Sequence, residues 1–158
     1  MTDLQIGDKA PEFTLPTNNN GEFTLSSLKG QYAVLYFYPK DNTPGCTTES
    51  CAFRDAFPNF EKLNTAIIGI SKCSVKKHDN FVKKYDLNFP LASDENNDVC
   101  KRYGTWKEKS MYGKNFLGIE RATFIIDPEG NIAAIWRKVK VKGHVDEVQE
   151  TLNNLIKD

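Results

Sequence analysis

The stretch YAVLYFYPKDNTPGCTTESCAF (residues 32–53) decides both the architecture and the chemistry. Residues 32–38 form a near-continuous apolar and aromatic run, the pattern of a strand covered on both faces. Pro39 cannot continue a strand ladder and ends it. Thr43 and Pro44 suit the N-cap and the first helical position. From Pro44 to about Leu63, Ala52, Phe53, Ala56, Phe57 and Phe60 recur at helical spacing, and Pro58 predicts a kink or break. A buried strand thus feeds a helix whose first turn carries Cys46, with Cys51 five positions on.

Outward from this stretch, FTLPTNNNGEFTL reads as two short strands around an Asn/Gly turn, followed by a helical turn at SSLKG. TAIIGIS (65–71) is a second buried strand, and KKHDNFVKKYDL carries a helical period through Phe81, Val82 and Tyr85. FPLASD predicts a third strand and NDVCKRYG a short helix. ATFIID and NIAAIWRKV flank PEG at 128–130 as a hairpin. The tail places Val145, Val148, Leu152, Leu155 and Ile156 on one face of a closing helix. Strands alternating with helices, then a hairpin and a helix, predict an α/β domain with a central mixed sheet flanked by helices, an order that a thioredoxin-like fold satisfies.

With 158 residues the chain fits one domain, 1–158, large enough to bury a core without disulfide staples. It balances 21 Lys plus Arg against 21 Asp plus Glu, which gives no global electrostatic case for nucleic acid or an anionic membrane. The lysines of KVKVKGH read as a solvated edge strand. No stretch approaches the roughly 20 apolar residues of a membrane span. The opening MTDLQIGDKAPEF has no signal-peptide pattern, so a cytoplasmic location is expected.

In that compartment Cys46, Cys51, Cys73 and Cys100 should rest reduced. Their spacing, C-x4-C followed by 21 and 26 intervening residues, matches no usual zinc pattern, and neither His78 nor His144 lies near a cysteine pair. At the start of a helix, free N–H groups and the positive dipole end favour a thiolate on Cys46, and the thiolate is the nucleophile. Ideal helix geometry separates the Cα atoms of Cys46 and Cys51 by about 8.6 Å. A disulfide needs roughly 4.4 to 6.8 Å, so the two can bond only if the first turn or two unwinds. Cys51 alone reads equally well as a packed helix residue.

The pattern Pro39, Thr43, Cys46 resembles the Pro-x-x-x-Thr-x-x-Cys signature of peroxiredoxins, and PKDNTPGCTTESCAFRD resembles the bacterioferritin-comigratory, or peroxiredoxin Q, subfamily. GDKAPEFTL, NFVKKYDLNFPLASD, YGTWKEKSMYGK and GIERATFIIDPEGNI extend the likeness over nearly the whole chain. The resemblance implies a thiol-dependent peroxidase without metal, haem or flavin. Cys46 would attack hydrogen peroxide or a small organic hydroperoxide and become a sulfenic acid. Cys51 would condense with it to an intramolecular disulfide, which thioredoxin or a similar dithiol protein would reduce. Thr43 would donate to the thiolate or the peroxide, Arg121 would aim a permanent cation at Cys46, Pro39 would shield the site, and Glu49 would orient a neighbour. A resolving cysteine within the same chain leads us to expect a monomer.

Cys73 stands where the subfamily usually has an Asp or similar polar residue, at the sheet edge expected to hold Cys46, and is an alternative resolving residue; Cys100 reads as a packed helix cysteine. Tyr36, Phe37, Phe53 and Trp106 either line an apolar approach or belong to the core. Two other functions fit the thiols: a thioredoxin-type oxidoreductase, which the C-x4-C spacing disfavours, and a redox sensor that is oxidised once rather than cycling.

Overall fold

The computed structural model describes residues 4–157, the side chain of Met111 excepted. The strands are β1 (Thr14–Thr17), β2 (Gly21–Thr24), β3 (Tyr32–Phe37), β4 (Thr65–Ser71), β5 (Leu91–Ser93), β6 (Trp106–Met111), β7 (Lys114–Ile119), β8 (Ala122–Ile126) and β9 (Ile132–Trp136). The helices are α1 (Pro44–Lys62), α2 (Val75–Tyr85), α3 (Val99–Arg102) and α4 (His144–Lys157), and a 3-10 turn spans Leu25–Leu28.

Seven strands form one sheet in the order β2-β1-β5-β4-β3-β8-β9. β3, β4 and β5 run parallel, while β1, β8 and β9 join antiparallel, so the expected mixed sheet is present. Alternation along β3 divides the core. Ala33, Leu35 and Phe37 face one apolar cluster, and Val34, Tyr36 and Tyr38 face the other. The long helices do not flank the sheet evenly. Phe53 and Phe60 of α1, Phe81 of α2, and Val145, Val148 and Leu152 of α4 all join the cluster containing Tyr36. The opposite face is covered by Phe13, Leu25, and Val99, Cys100 and Tyr103 around α3.

Gly69 on β4 is required by close approach. A Cβ there would lie 2.7 Å from Leu91 Cδ2 and 2.8 Å from the Tyr36 hydroxyl, so only glycine lets the Tyr36 ring cross the strand. The freed ring stacks on Phe53 with centroids 4.7 Å apart.

α1 continues through Pro58, so of the expected kink or break the break does not occur. Proline removes the N–H that would have bonded the Arg54 carbonyl. Asn88 Nδ2 donates to that carbonyl instead, at 3.3 Å. The β6–β7 hairpin carries no strand of the main sheet and was not foreseen from residue patterning. Its Lys107, Glu108, Lys109 and Ser110 include no β-branched residue. The two-residue turn places Tyr112 at φ 54° and Gly113 at φ 77°, the left-handed pair of a type I′ hairpin.

The lysines of KVKVKGH were read as an edge strand, but β9 ends at Trp136. Lys138, Lys140 and Lys142 lie in the exposed connection to α4, and the Val139 amide donates to the Arg121 carbonyl at 3.0 Å. Lys138 takes φ 50°, which breaks the extended backbone a strand needs.

Phe53 is fully buried at the contact of α1 with the sheet. Phe53→Ala should lower unfolding free energy by about 3–5 kcal/mol through lost burial and an unfilled cavity, as measured by urea denaturation of the reduced protein.

Candidate active site

Thr43 is the N-cap of α1 by backbone conformation, φ −94° and ψ 156°, and its carbonyl accepts from the Thr47 amide at 2.8 Å. Its hydroxyl does not cap the helix or donate to Cys46. It donates to the Lys40 carbonyl at 2.9 Å, across the loop that precedes the helix. In this arrangement the loop engages the hydroxyl proton. Among the described residues no side-chain cap is formed at the N-terminus of α1, whose first amides lack partners within the helix.

Cys46 lies in that turn and is 1% exposed. Arg121, between β7 and β8, divides its guanidinium between two partners. Nη2 donates to Cys46 Sγ at 3.4 Å and Nη1 to Glu49 Oε1 at 2.8 Å. Glu49 follows Cys46 by three positions, so the two side chains share one helix face and one fork reaches both. A Cβ at Gly45 would come within 3.2 Å of Arg121 Nη2, so the fork packs against a residue without a side chain. Arg121 is itself held above the usual guanidinium range by Glu49 and Cys46, although burial opposes this.

Glu49 is fully buried, and its Oε2 has no hydrogen-bond partner among the described residues. Burial pushes its carboxyl up to about 7, against the pull of Arg121. Lys109 on β6 was missed by the sequence reading. Partial burial and Arg121 lower it, while the charges of Cys46 and Glu120 oppose that shift. No apolar alternation in residues 106–111 marks it.

Cys51 is half-buried in the unbroken helix and not bonded to Cys46. Pro39 lies half-buried just beyond β3. Cys73 is 8% exposed, and its sulfur accepts the Asp41 amide at 3.3 Å. Cys100 is fully buried, its thiol pushed far up by burial and by the Asp94 carboxylate. Tyr36, Phe37 and Phe53 are core residues, whereas Trp106 is half-buried beneath the Lys72 ammonium, 5.2 Å from the ring centre. Among the described residues no group of three or more His, Cys, Asp or Glu could hold a metal ion, and no helix is long and apolar enough to cross a membrane.

Residues 6–135 match the family model described as AhpC/TSA. The chain is 53% identical over 145 residues to a putative peroxiredoxin Bcp of Coxiella burnetii, covering 92% of this chain and 96% of the relative. It is 47% identical over 152 residues to peroxiredoxin Bcp of Bacillus subtilis, covering 96% and 97%. A cysteine-to-serine variant of Xylella fastidiosa PrxQ superposes with TM-score 0.93 at 42% identity, over 99% of both chains. The bacterioferritin comigratory protein of Xanthomonas campestris, whose structure was solved to explain its alkyl peroxide reduction, gives TM-score 0.86 at 46% identity over 90% of both chains.

Glu49 and His144 have opposing proton linkages. Burial lowers His144 from 6.5 to about 4. Between those values the unfolded chain holds the extra proton, so His144 makes stability rise with pH. Glu49 is raised from 4.5 to about 7, so between those values the folded chain holds the extra proton and stability falls as pH rises. The two windows overlap and oppose each other in the parent protein. Glu49→Gln should therefore lose stability as pH falls from about 6.5 to about 4, and His144→Gln should lose it as pH rises from about 4.5 to about 7. Urea unfolding across this range tests both; two variants that share one pH profile would refute the assignment.

Proposed function

As a member of the AhpC/TSA family, in its bacterioferritin comigratory or peroxiredoxin Q branch, the chain is a thiol peroxidase, and we propose that Cys46 is its peroxide-attacking residue. The observation that carries the assignment is the Arg121 fork on a buried sulfur at the start of α1, with a second thiol five residues further along the same helix. The Cys46 thiolate attacks one peroxide oxygen of ROOH. The S–O bond forms as the O–O bond breaks, and the departing electron pair leaves on RO⁻, which takes a proton to become ROH. Sulfur is oxidised to the sulfenic acid while the peroxide is reduced by two electrons.

Arg121 contributes a permanent cation where charge passes from sulfur to oxygen, a role that depends on fixed orientation more than on binding strength. Glu49 holds the second nitrogen of the fork and so sets the plane of the first. Thr43 can serve the peroxide only by leaving the Lys40 carbonyl, and Pro39 borders the loop without contributing a donor. Cys51 then attacks the sulfenic sulfur after the first turns of α1 unwind, releasing water and forming the disulfide. A thioredoxin-type dithiol protein restores both thiols and is itself oxidised. Hydrogen peroxide and small organic hydroperoxides are the substrates in this reading, and a monomer suffices because both cysteines belong to one chain. The cytoplasm is a setting in which the four thiols would rest reduced.

Anaerobic addition of one equivalent of hydrogen peroxide to the reduced protein should remove two thiols within seconds and leave a 46–51 link in the peptide masses. Survival of all four thiols would overturn the assignment. Cys51→Ser should keep the first peroxide reaction, stall turnover with thioredoxin and accumulate sulfinic acid on Cys46. Full turnover in that variant would show that another thiol resolves. Removing Arg121 alone would leave Glu49 buried without its cation, so the cleaner comparison is Arg121→Met in a Glu49→Gln background. Relative to Glu49→Gln alone, the first peroxide step should slow by about 100- to 1,000-fold, read by rapid mixing.

A further inference from the structure

We propose that Asp41, gripped by Tyr38 and His78, is a fixed anchor for the loop into α1, so that unwinding stops at Thr43 and Cys46 stays held near the approaching Cys51. The proposal rests on the reading that Cys46 and Cys51 form a disulfide.

The loop from Tyr38 to Thr43 is held far more firmly than the helix it leads into. The Tyr38 amide donates to the Ile70 carbonyl at 3.1 Å, extending the β3–β4 pairing by one residue. Both carboxylate oxygens of Asp41 are occupied. Oδ1 accepts from the Tyr38 hydroxyl at 2.5 Å, and Oδ2 lies 2.6 Å from His78 Nδ1. His78 Nε2 faces the Ala92 carbonyl at 3.1 Å, which ties the ring to β5. The side chains of Asp41 and His78 are 4% and 0% exposed, so water does not compete for these bonds. The Asp41 amide adds a bond to Cys73 Sγ. Asn42 takes φ 63°, a conformation that asparagine tolerates, and its Oδ1 accepts from Lys84 Nζ at 3.3 Å and from the Tyr85 hydroxyl at 3.1 Å. Strands β3 and β5, the β4–α2 connection and helix α2 all hold two consecutive residues of the loop.

The first turns of α1 have less to hold them. Their buried polar ties are the Arg121 contacts with Cys46 and Glu49 and the Tyr36–Ser50 hydroxyl pair at 2.9 Å, with no side-chain cap. Oxidation of Cys46 alters one of these directly. Phe53, stacked on Tyr36, is the next firm contact downstream. The segment free to unwind therefore lies between Asn42 and Phe53 and contains both cysteines. Cys46 sits five residues from the Asp41 anchor and Cys51 two from Phe53, so each sulfur is held near a firm end and the released chain lies between them. Keeping Cys46 tethered removes conformations in which its sulfenic acid wanders from the approaching thiol, and effective concentration in an intramolecular step rises as such freedom is removed.

Asp41 touches neither peroxide nor the reacting sulfurs in this scheme; it is a positioning residue. Asp41→Ala should leave the first peroxide step within about two-fold while slowing disulfide formation by about ten-fold or more, with sulfinic acid rising under excess peroxide. Asp41→Asn, which keeps one acceptor oxygen, should recover part of the loss. Rapid mixing followed by acid quench and thiol mass mapping separates the two steps. Equal slowing of both steps, or an unchanged disulfide rate, overturns the anchor. Hydrogen exchange on the unaltered protein provides a check independent of whether the variant folds. Oxidation should expose the amides from Thr47 to Cys51 while those of Tyr38 and Asp41 stay protected; exposure of both sets refutes the proposal. If the unaltered protein forms no 46–51 disulfide at all, the resolving role of Cys51 fails first, and the anchor's function fails with it.

Discussion

The ring of Tyr36 lies across Gly69, where no side chain holds it off, and its far face meets Phe53. That stack fixes the height and rotation of α1 on the sheet, and from it the positions of Cys46, Glu49 and Cys51 follow by helical spacing alone. The Ser50 hydroxyl meets the Tyr36 phenol, so one side chain of β3 holds the helix by both packing and a hydrogen bond. Parallel pairing of β3 with β4 brings the ends of both strands to the same edge. Arg121 enters there from the position just before β8, the antiparallel strand on the other side of β3. The site is a meeting of three chain directions at one sheet edge, the location that open α/β sheets favour for chemistry.

Charge at this edge is arranged in pairs that each leave something unfinished. Arg121 satisfies one oxygen of Glu49 and spends its other arm on sulfur, leaving Glu49 Oε2 buried without a donor. A buried carboxylate with an open oxygen is costly, and the shift of Glu49 toward neutrality reflects that cost. The Asp41 and His78 pair is the contrasting case, since each of its four polar side-chain atoms has a partner. Incomplete satisfaction beside Cys46 and complete satisfaction a few residues upstream fit a structure that must yield at one place and hold at the next.

Much of this was legible in the sequence because it depends on local pattern. The aromatic run at 32–38, the Thr-Pro helix start and the recurring Ala and Phe of α1 carry their own periodicity, as do α2 and α4. Cys46 could be placed in a first turn on those signals alone. The Cys46–Arg121 contact crosses 75 positions and no periodicity announces it; family likeness alone pointed to Arg121. The Asp41–His78 pair joins residues 37 apart on a loop and a helix, each unremarkable among exposed neighbours such as Lys77 and Asp79. Thr43 was legible as the backbone start of α1, whereas its rotamer depends on the Lys40 carbonyl, a partner supplied by the loop's turn. Pro58 looked disruptive because its cost is local while its compensation, Asn88, lies 30 positions away.

The β6–β7 hairpin stands outside the seven-stranded sheet, anchored at its base by the Glu120 amide on the Thr105 carbonyl and by buried Ile119, and ending in Tyr112, which is almost wholly exposed. Residues 112–117 around the turn are exposed, so the packing of other elements does not set the position of the tip. Insertions, deletions or a fused tag at the tip would change the outline of the molecule near Cys46 without breaking a rung of the main sheet.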